Sequence, residues 1–199
     1  MGCVILETER TFVAIKPDGV QRGIIGDCIT RFERCGLKLV AMKMVQPSKE
    51  FVAKHYPSNE GWLRSVGNKT VSFYKEHNLD VAKDMGCSDD LSIGKKVKEW
   101  LCEYLSSGPV VAMIWEGHCA IDIIRKHCGN TLPTLAAPGT IRGDYSIDSS
   151  YLANVRKRPI RNIMHASGNK GEAENEIGLW FKPNEIYAYK RADEKAMFG

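Results

Sequence analysis

Apolar and polar residues recur along this chain at two periods, and the switches between them outline its elements. Thr11-Phe12-Val13-Ala14-Ile15 is a short apolar run stopped by Pro17-Asp18-Gly19. Proline's fixed φ and glycine's freedom make that stop a turn, so the run reads as a buried strand. The spacing then changes: Ile25, Ile29 and Phe32 share a helical stripe, Asp27, Arg31 and Glu33 face away, and Gly36 suits a C-terminal cap. Leu37 to Val45 predicts a second strand, and Ser48 as N-cap opens a short helix that runs to His55-Tyr56. Residues 57–91 lose periodicity under Pro57, Gly61, Gly67, Asn68 and Gly86, and read as mostly loop with one or two helical turns. Ile93, Val97, Leu101 and Tyr104 restore a helical register up to Ser107-Gly108. Pro109 to Trp115 is a third strand with little alternation, as expected for one covered on both faces. His118 to Cys128 predicts a helix ended by Gly129. Polar loop follows from Asn130 to about Arg161, then a short strand at Asn162-Ile163-Met164 and a helix from Glu172 to Phe181 with Ala173, Ile177 and Trp180 inward.

This order predicts an α/β (α+β) fold, a ferredoxin-like split βαβ sandwich in which helices cover one face of a four-stranded antiparallel sheet. With 199 residues, 43% of them hydrophobic, the chain suits a single domain that folds without disulfides or metal. A formal charge of +4 without a run of five like charges gives no strong nucleic-acid signal and no polybasic membrane segment. Arg156-Lys157-Arg158 is the longest basic stretch, readable as a solvated loop or as a phosphate-attracting surface. Seven cysteines, an odd number without Cys-x-x-Cys, predict reduced thiols and a cytoplasmic protein. The opening residues are too short an apolar run for a signal peptide, and no stretch approaches the ~18 apolar residues of a membrane span. Gly2-Cys3 invites an acylation reading that Leu6 opposes, since a myristoylation signal wants Ser or Thr there.

Among sites of chemistry, the chain contains no Walker loop (G-x-x-x-x-G-K-S/T), no G-x-G-x-x-G after a strand, no H-E-x-x-H and no G-x-S-x-G. Phosphates would then be held by side-chain cations and hydroxyls, for which Lys16, Arg125, Thr131, Arg142 and Arg161 are the candidates. His165 lies between Arg161-Asn162 and the Glu172 helix, and is the candidate covalent carrier. Attack on phosphorus needs a neutral imidazole with one nitrogen available and the other held. Glu176 stands where it could hold that ring. It could equally be a solvated carboxylate paired along its own helix.

Four segments together resemble the nucleoside diphosphate kinase family. They are Lys16 to Gly23, Ser107 to Met113, Pro138-Gly139-Thr140-Ile141-Arg142-Gly143-Asp144 and Asn162 to Ser167, accompanied by Glu174 to Phe181. The resemblance covers nearly the whole chain apart from insertions around 57–92 and 148–160. It implies a nucleoside triphosphate:nucleoside diphosphate phosphotransferase working by ping-pong exchange through a phosphohistidine on His165, with Glu176 supporting the ring. It also implies Lys16 and Asn162 on the sugar hydroxyl, Lys16 near the transferred phosphate, Arg125, Thr131 and Arg142 as the phosphate clamp, Tyr56 beside the histidine, and Ser167 hydrogen-bonding near it. Mg²⁺ would arrive on the nucleotide phosphates, and the protein would be a homo-oligomer, commonly a hexamer. The family's base-stacking aromatic has no unambiguous match: alignment from Ser107 points to Val97, and the nearest aromatic after Tyr56 is Trp62. The competing readings are a non-catalytic nucleotide-binding or scaffold protein of the same fold, which would not need Lys16, His165 and Glu176 together, and a nucleic-acid binder, supported only by mild positive charge.

Overall fold

The computed structural model describes residues 8–198, so the Gly2-Cys3 start lies outside the described residues. In chain order the helices and strands are β1 (Glu9–Ile15), α1 (Pro17–Gln21), α2 (Ile25–Arg34), β2 (Lys38–Val45), α3 (Lys49–His55), α4 (Glu60–Glu76), α5 (Val81–Met85), α6 (Asp90–Ser106), β3 (Val110–Gly117), α7 (Ala120–Cys128), α8 (Ile141–Tyr145), α9 (Ser150–Val155), β4 (Met164–Ala166), α10 (Lys170–Trp180) and α11 (Glu194–Phe198). They form two compact units. The first takes in the chain up to Val45, Pro109–Ser146 and the part from Asn162 onward; the second takes in Gln46–Gly108 and Ile147–Arg161.

The first unit holds a four-stranded sheet in the order β2-β3-β1-β4, every pair antiparallel, which is the split βαβ arrangement. Val13, Ile15, Val111, Met113 and Trp115 pack against Cys28 and Phe32 of α2 and Ala120, Ile124 and Cys128 of α7. Burying each large side chain of this kind stabilises the fold by ~1.5–3 kcal/mol. Phe12 and Ala14, on the other face, are equally inaccessible, and Trp180 of α10 stacks on Phe12 with ring centroids 5.2 Å apart. Helices therefore lie on both faces of the sheet rather than one, because β1 is apolar at consecutive positions and each face needs cover. The last strand also sits two residues later than its predicted span. Met164–Ala166 pair with β1, placing His165 opposite Ala14, while Ile163 has a φ of 72° that no strand residue adopts.

The second unit corrects the reading of residues 57–91 as mostly loop: α4 runs 17 residues. Asn59 caps it by accepting the Trp62 N–H at 2.9 Å, and Leu63, Gly67, Thr70, Phe73 and Tyr74 form its buried stripe. Gly67 is a contact point rather than a breaker. A Cβ there would collide with the backbone of Asp90 and Gly94 on α6, and one on Gly94 would collide with Leu63, so the two glycines let these helices approach at backbone distance. The expected loop from Asn130 to Arg161 likewise contains a 3-10 turn at Pro133–Leu135 and the short helices α8 and α9. Asp148 binds the second of these segments together. Its carboxylate accepts from Arg158 Nη1 at 2.6 Å, the Arg161 N–H at 2.7 Å and the Ser149 N–H at 3.0 Å. Burial acts to raise that carboxyl's pKa, and these donors together hold it below the ordinary value. Arg158 is thus an internal brace, and Arg156 and Lys157 are the solvated part of the basic stretch.

Candidate active site

Lys16 follows β1 directly, and Pro17 at the first position of α1 fixes the turn that aims it inward. Its Nζ donates to Asn162 Oδ1 at 2.7 Å, and Asn162 Nδ2 donates to the Thr131 carbonyl at 2.8 Å. Lys16 is buried. Burial, and then the neighbouring Arg142 charge, push its pKa down to about 8, against the opposing influence of Asp18 and Cys128. Thr140 caps α8 through the Gly143 N–H, and that turn presents Arg142. Its guanidinium reaches inward and is bonded at all three nitrogens. Nη1 donates to the Gly129 carbonyl and Nη2 to the Met164 carbonyl, each at 2.8 Å, and Nε donates to the Asn162 carbonyl at 3.3 Å. Burial and the nearby Arg125 lower its pKa against the influence of Cys128, yet a guanidinium remains charged at any physiological pH. Arg142 is both a cation and a clasp joining three chain segments.

His165 is held from behind. Its Nε2 lies 2.7 Å from Glu176 Oε1, while Ser167 Oγ donates to Glu176 Oε2 at 2.6 Å and accepts the Phe12 N–H at 3.3 Å. Of the two readings left open for Glu176, the structure shows the inward one. Ala173, Glu176 and Trp180 form the buried stripe of α10, and Ile177, expected inward, is only half-buried. Asn169 caps this helix through the Glu172 N–H, starting it at Lys170. The carboxylate therefore accepts from two donors in a site where an unpaired charge would be strongly unfavourable.

Lys16, Arg125, Thr131, Arg142, Asn162 and His165 line one cavity of about 310 Å³. The three cations, a hydroxyl and an amide converge there, and no Asp or Glu is among its described lining residues. Such a cavity suits a polyanion. Tyr56 and Arg161 belong to the second unit. The Tyr56 ring meets His55 edge-on at 4.9 Å and stacks on Trp62 at 6.3 Å, and its carbonyl accepts from Lys98 Nζ at 3.1 Å. Val97 packs against the cluster of Phe73, Tyr74, Met85 and Ile93, as its place on the inward stripe predicts. Two residues of the site carry no role in the sequence reading. Cys128 lines the cavity, its thiol pushed up to about 11 mainly by burial. Asp18 accepts the Ile163 N–H at 3.0 Å. Neither placement leaves a periodic signal in the chain.

Comparison with known proteins points to one family along most of the chain. A family model described as nucleoside diphosphate kinase matches residues 9–79 and 92–186. A nucleoside diphosphate kinase of Pyrobaculum aerophilum is 46% identical over 181 residues, 91% of this chain and 99% of that protein. One of Pyrococcus furiosus is 42% identical, covering 94% of this chain and 91% of its own length. The crystal structure of an NDP kinase from Pyrobaculum aerophilum matches with a TM-score of 0.90 at 44% identity, covering 92% of this chain and 100% of that one. A nucleoside-diphosphate kinase from Borrelia burgdorferi, solved as a transition state mimic with bound vanadate and ADP, matches with a TM-score of 0.75 at 39% identity, covering 95% and 96%.

Proposed function

The chain belongs to the nucleoside diphosphate kinase family and is a nucleoside triphosphate:nucleoside diphosphate phosphotransferase, and from that premise we propose that His165 is the group phosphorylated in each half of the exchange. Nε2 is engaged by Glu176, so Nδ1 attacks the terminal phosphorus. The bond from that phosphorus to its bridging oxygen breaks, and the nucleoside diphosphate leaves with the electron pair. The acceptor's terminal oxygen then attacks the phosphohistidine and restores the imidazole. The observation that carries this reading is the 2.7 Å His165–Glu176 contact at the wall of a cavity lined with cations.

The other residues follow from charge and reach. Lys16, Arg125 and Arg142 neutralise the phosphates, Thr131 adds a hydroxyl, and Lys16 and Asn162 take the sugar hydroxyl. Such electrostatic pre-organisation is the main catalytic resource in phosphoryl transfer. By the family resemblance Tyr56 takes part in the reaction at the histidine, and Trp62 or Val97 is the candidate for holding the base. Val97's packing in the second unit and the exposed start of α4 favour Trp62. Broad base acceptance follows from gripping phosphates and sugar while only stacking the base. Mg²⁺, bound to the nucleotide phosphates, would neutralise their charge.

The substrates are nucleoside di- and triphosphates such as ATP and GTP. The chain forms a homo-oligomer, commonly a hexamer in the family, and the exposed Met42 and Met44 on edge strand β2 support self-association. A cytoplasmic location is supported by free thiols at every described cysteine; among the described residues no helix is long and apolar enough to cross a membrane. We read the chain as one kinase domain with insertions around 57–92 and 148–160, a reading supported by the stretch 80–91 that the family model leaves unmatched. The central test is intact-mass analysis after mixing with ATP and Mg²⁺. The parent should gain one acid-labile phosphoryl group at His165, and His165→Asn should bind nucleotide without gaining it; a phosphoenzyme in that variant removes His165 from the reaction.

A further inference from the structure

Ile163 has a φ of 72°, a region that a β-branched residue enters only under constraint. The β1–α1 turn supplies that constraint. Asp18 Oδ2 accepts the Ile163 N–H at 3.0 Å, the Lys16 N–H donates to the Ile163 carbonyl at 2.8 Å, and Gly19 leaves the room they need. A Cβ on Gly19 would stand 2.7 Å from Ile15 Cγ2 and 3.1 Å from the Ile163 carbonyl. The residues on either side of Ile163 belong to the cavity. Asn162 binds Lys16 Nζ, the Met164 carbonyl binds Arg142, and His165 follows. Rotating Ile163 into an ordinary conformation would swing these three groups relative to one another. Asp18 Oδ1 is buried and finds no hydrogen-bond partner among the described residues, so the side chain's one bond is the one to the Ile163 N–H.

We propose that Asp18 is a positioning residue for phosphoryl transfer: by accepting the Ile163 N–H it holds the strained peptide, and through it Asn162 and His165, in the reactive arrangement. The inference rests on the His165 reading, which the phosphoenzyme measurement on the parent decides separately. The test is a double-mutant cycle in kcat and KM. Asp18→Asn keeps an oxygen that accepts the same N–H, so kcat should stay within about threefold of the parent. Asp18→Ala should lower kcat by ~10–100-fold with KM within about threefold, the pattern of misplaced reacting groups rather than lost binding. In the Ile163→Gly background, where a positive φ is unstrained, the same Asp18→Ala change should lower kcat by less than about threefold. A kcat for Asp18→Ala within about twofold of the parent, or an equal loss in both backgrounds, overturns the proposal. Should Asp18→Ala fail to fold, Asp18→Ser, too short to reach the N–H, carries the same comparison.

Discussion

Replacing Glu176 by Gln tests the His165 support with little change of shape. The carboxylate is nearly buried, accepts from Ser167 at 2.6 Å and lies 2.7 Å from His165 Nε2. A Gln amide can keep both contacts: its oxygen faces the Nε2–H, its NH₂ faces Ser167 Oγ, and the Ser167 proton turns to the Phe12 carbonyl at 3.3 Å. The fold should therefore hold. What disappears is the negative charge opposite a ring that, in the proposed reaction, becomes more positive as Nδ1 bonds to phosphorus. Hydrogen bonds to a charged partner are worth ~1.5–3 kcal/mol and neutral ones ~0.5–1.5. The difference, ~1–2 kcal/mol, corresponds to about a 5–30-fold fall in kcat/KM. The assay is stopped-flow phosphorylation by ATP beside steady-state exchange, with melting temperature as the control for folding. A kcat/KM within about twofold of the parent, with folding intact, would refute an electrostatic role for Glu176.

Arg142→Ala should reduce kcat/KM by the equivalent of ~2–4 kcal/mol as a transition-state cation is lost. Because Arg142 also donates to three carbonyls, a further ~2 kcal/mol of stability should go, lowering Tm by roughly 4–8 °C in calorimetry; an unchanged Tm would contradict the clasp. The Lys16 pKa of about 8 predicts that kcat/KM falls as pH rises through that value, since the cation proposed to meet the phosphates is lost. Stability should move the other way, because the folded chain releases this proton before the unfolded chain does, near 10.5, so folding gains between those two values. A flat kcat/KM profile up to about pH 9.5 would rule out Lys16 as the titrating cation. Trp62→Ala should raise KM for every nucleotide with little change in kcat, the mark of uniform binding; a large loss of Tm with unchanged KM would make Trp62 structural.

Periodicity alone was enough for β1, β2, β3, α2, α6 and α7, because each buries a continuous stripe that an isolated glycine, Gly26 in α2 or Gly94 in α6, does not break. The motifs around Lys16, Arg142 and His165 also carried the family and the cavity's polar lining in their residue types. Three features depended on contacts between distant segments. α4 was hidden because Gly67 serves a helix crossing whose partner, Gly94, is remote in sequence. β4 was displaced because Ile163 departs from strand geometry under the hold of Asp18 and Lys16, far upstream. Glu176 was ambiguous because a buried carboxylate on an amphipathic helix looks like a solvated one until its partners are known, and those partners, His165 and Ser167, arrive from a different element. Local pattern records which side chains avoid water. Which polar group faces which is decided by where the chain brings distant segments together.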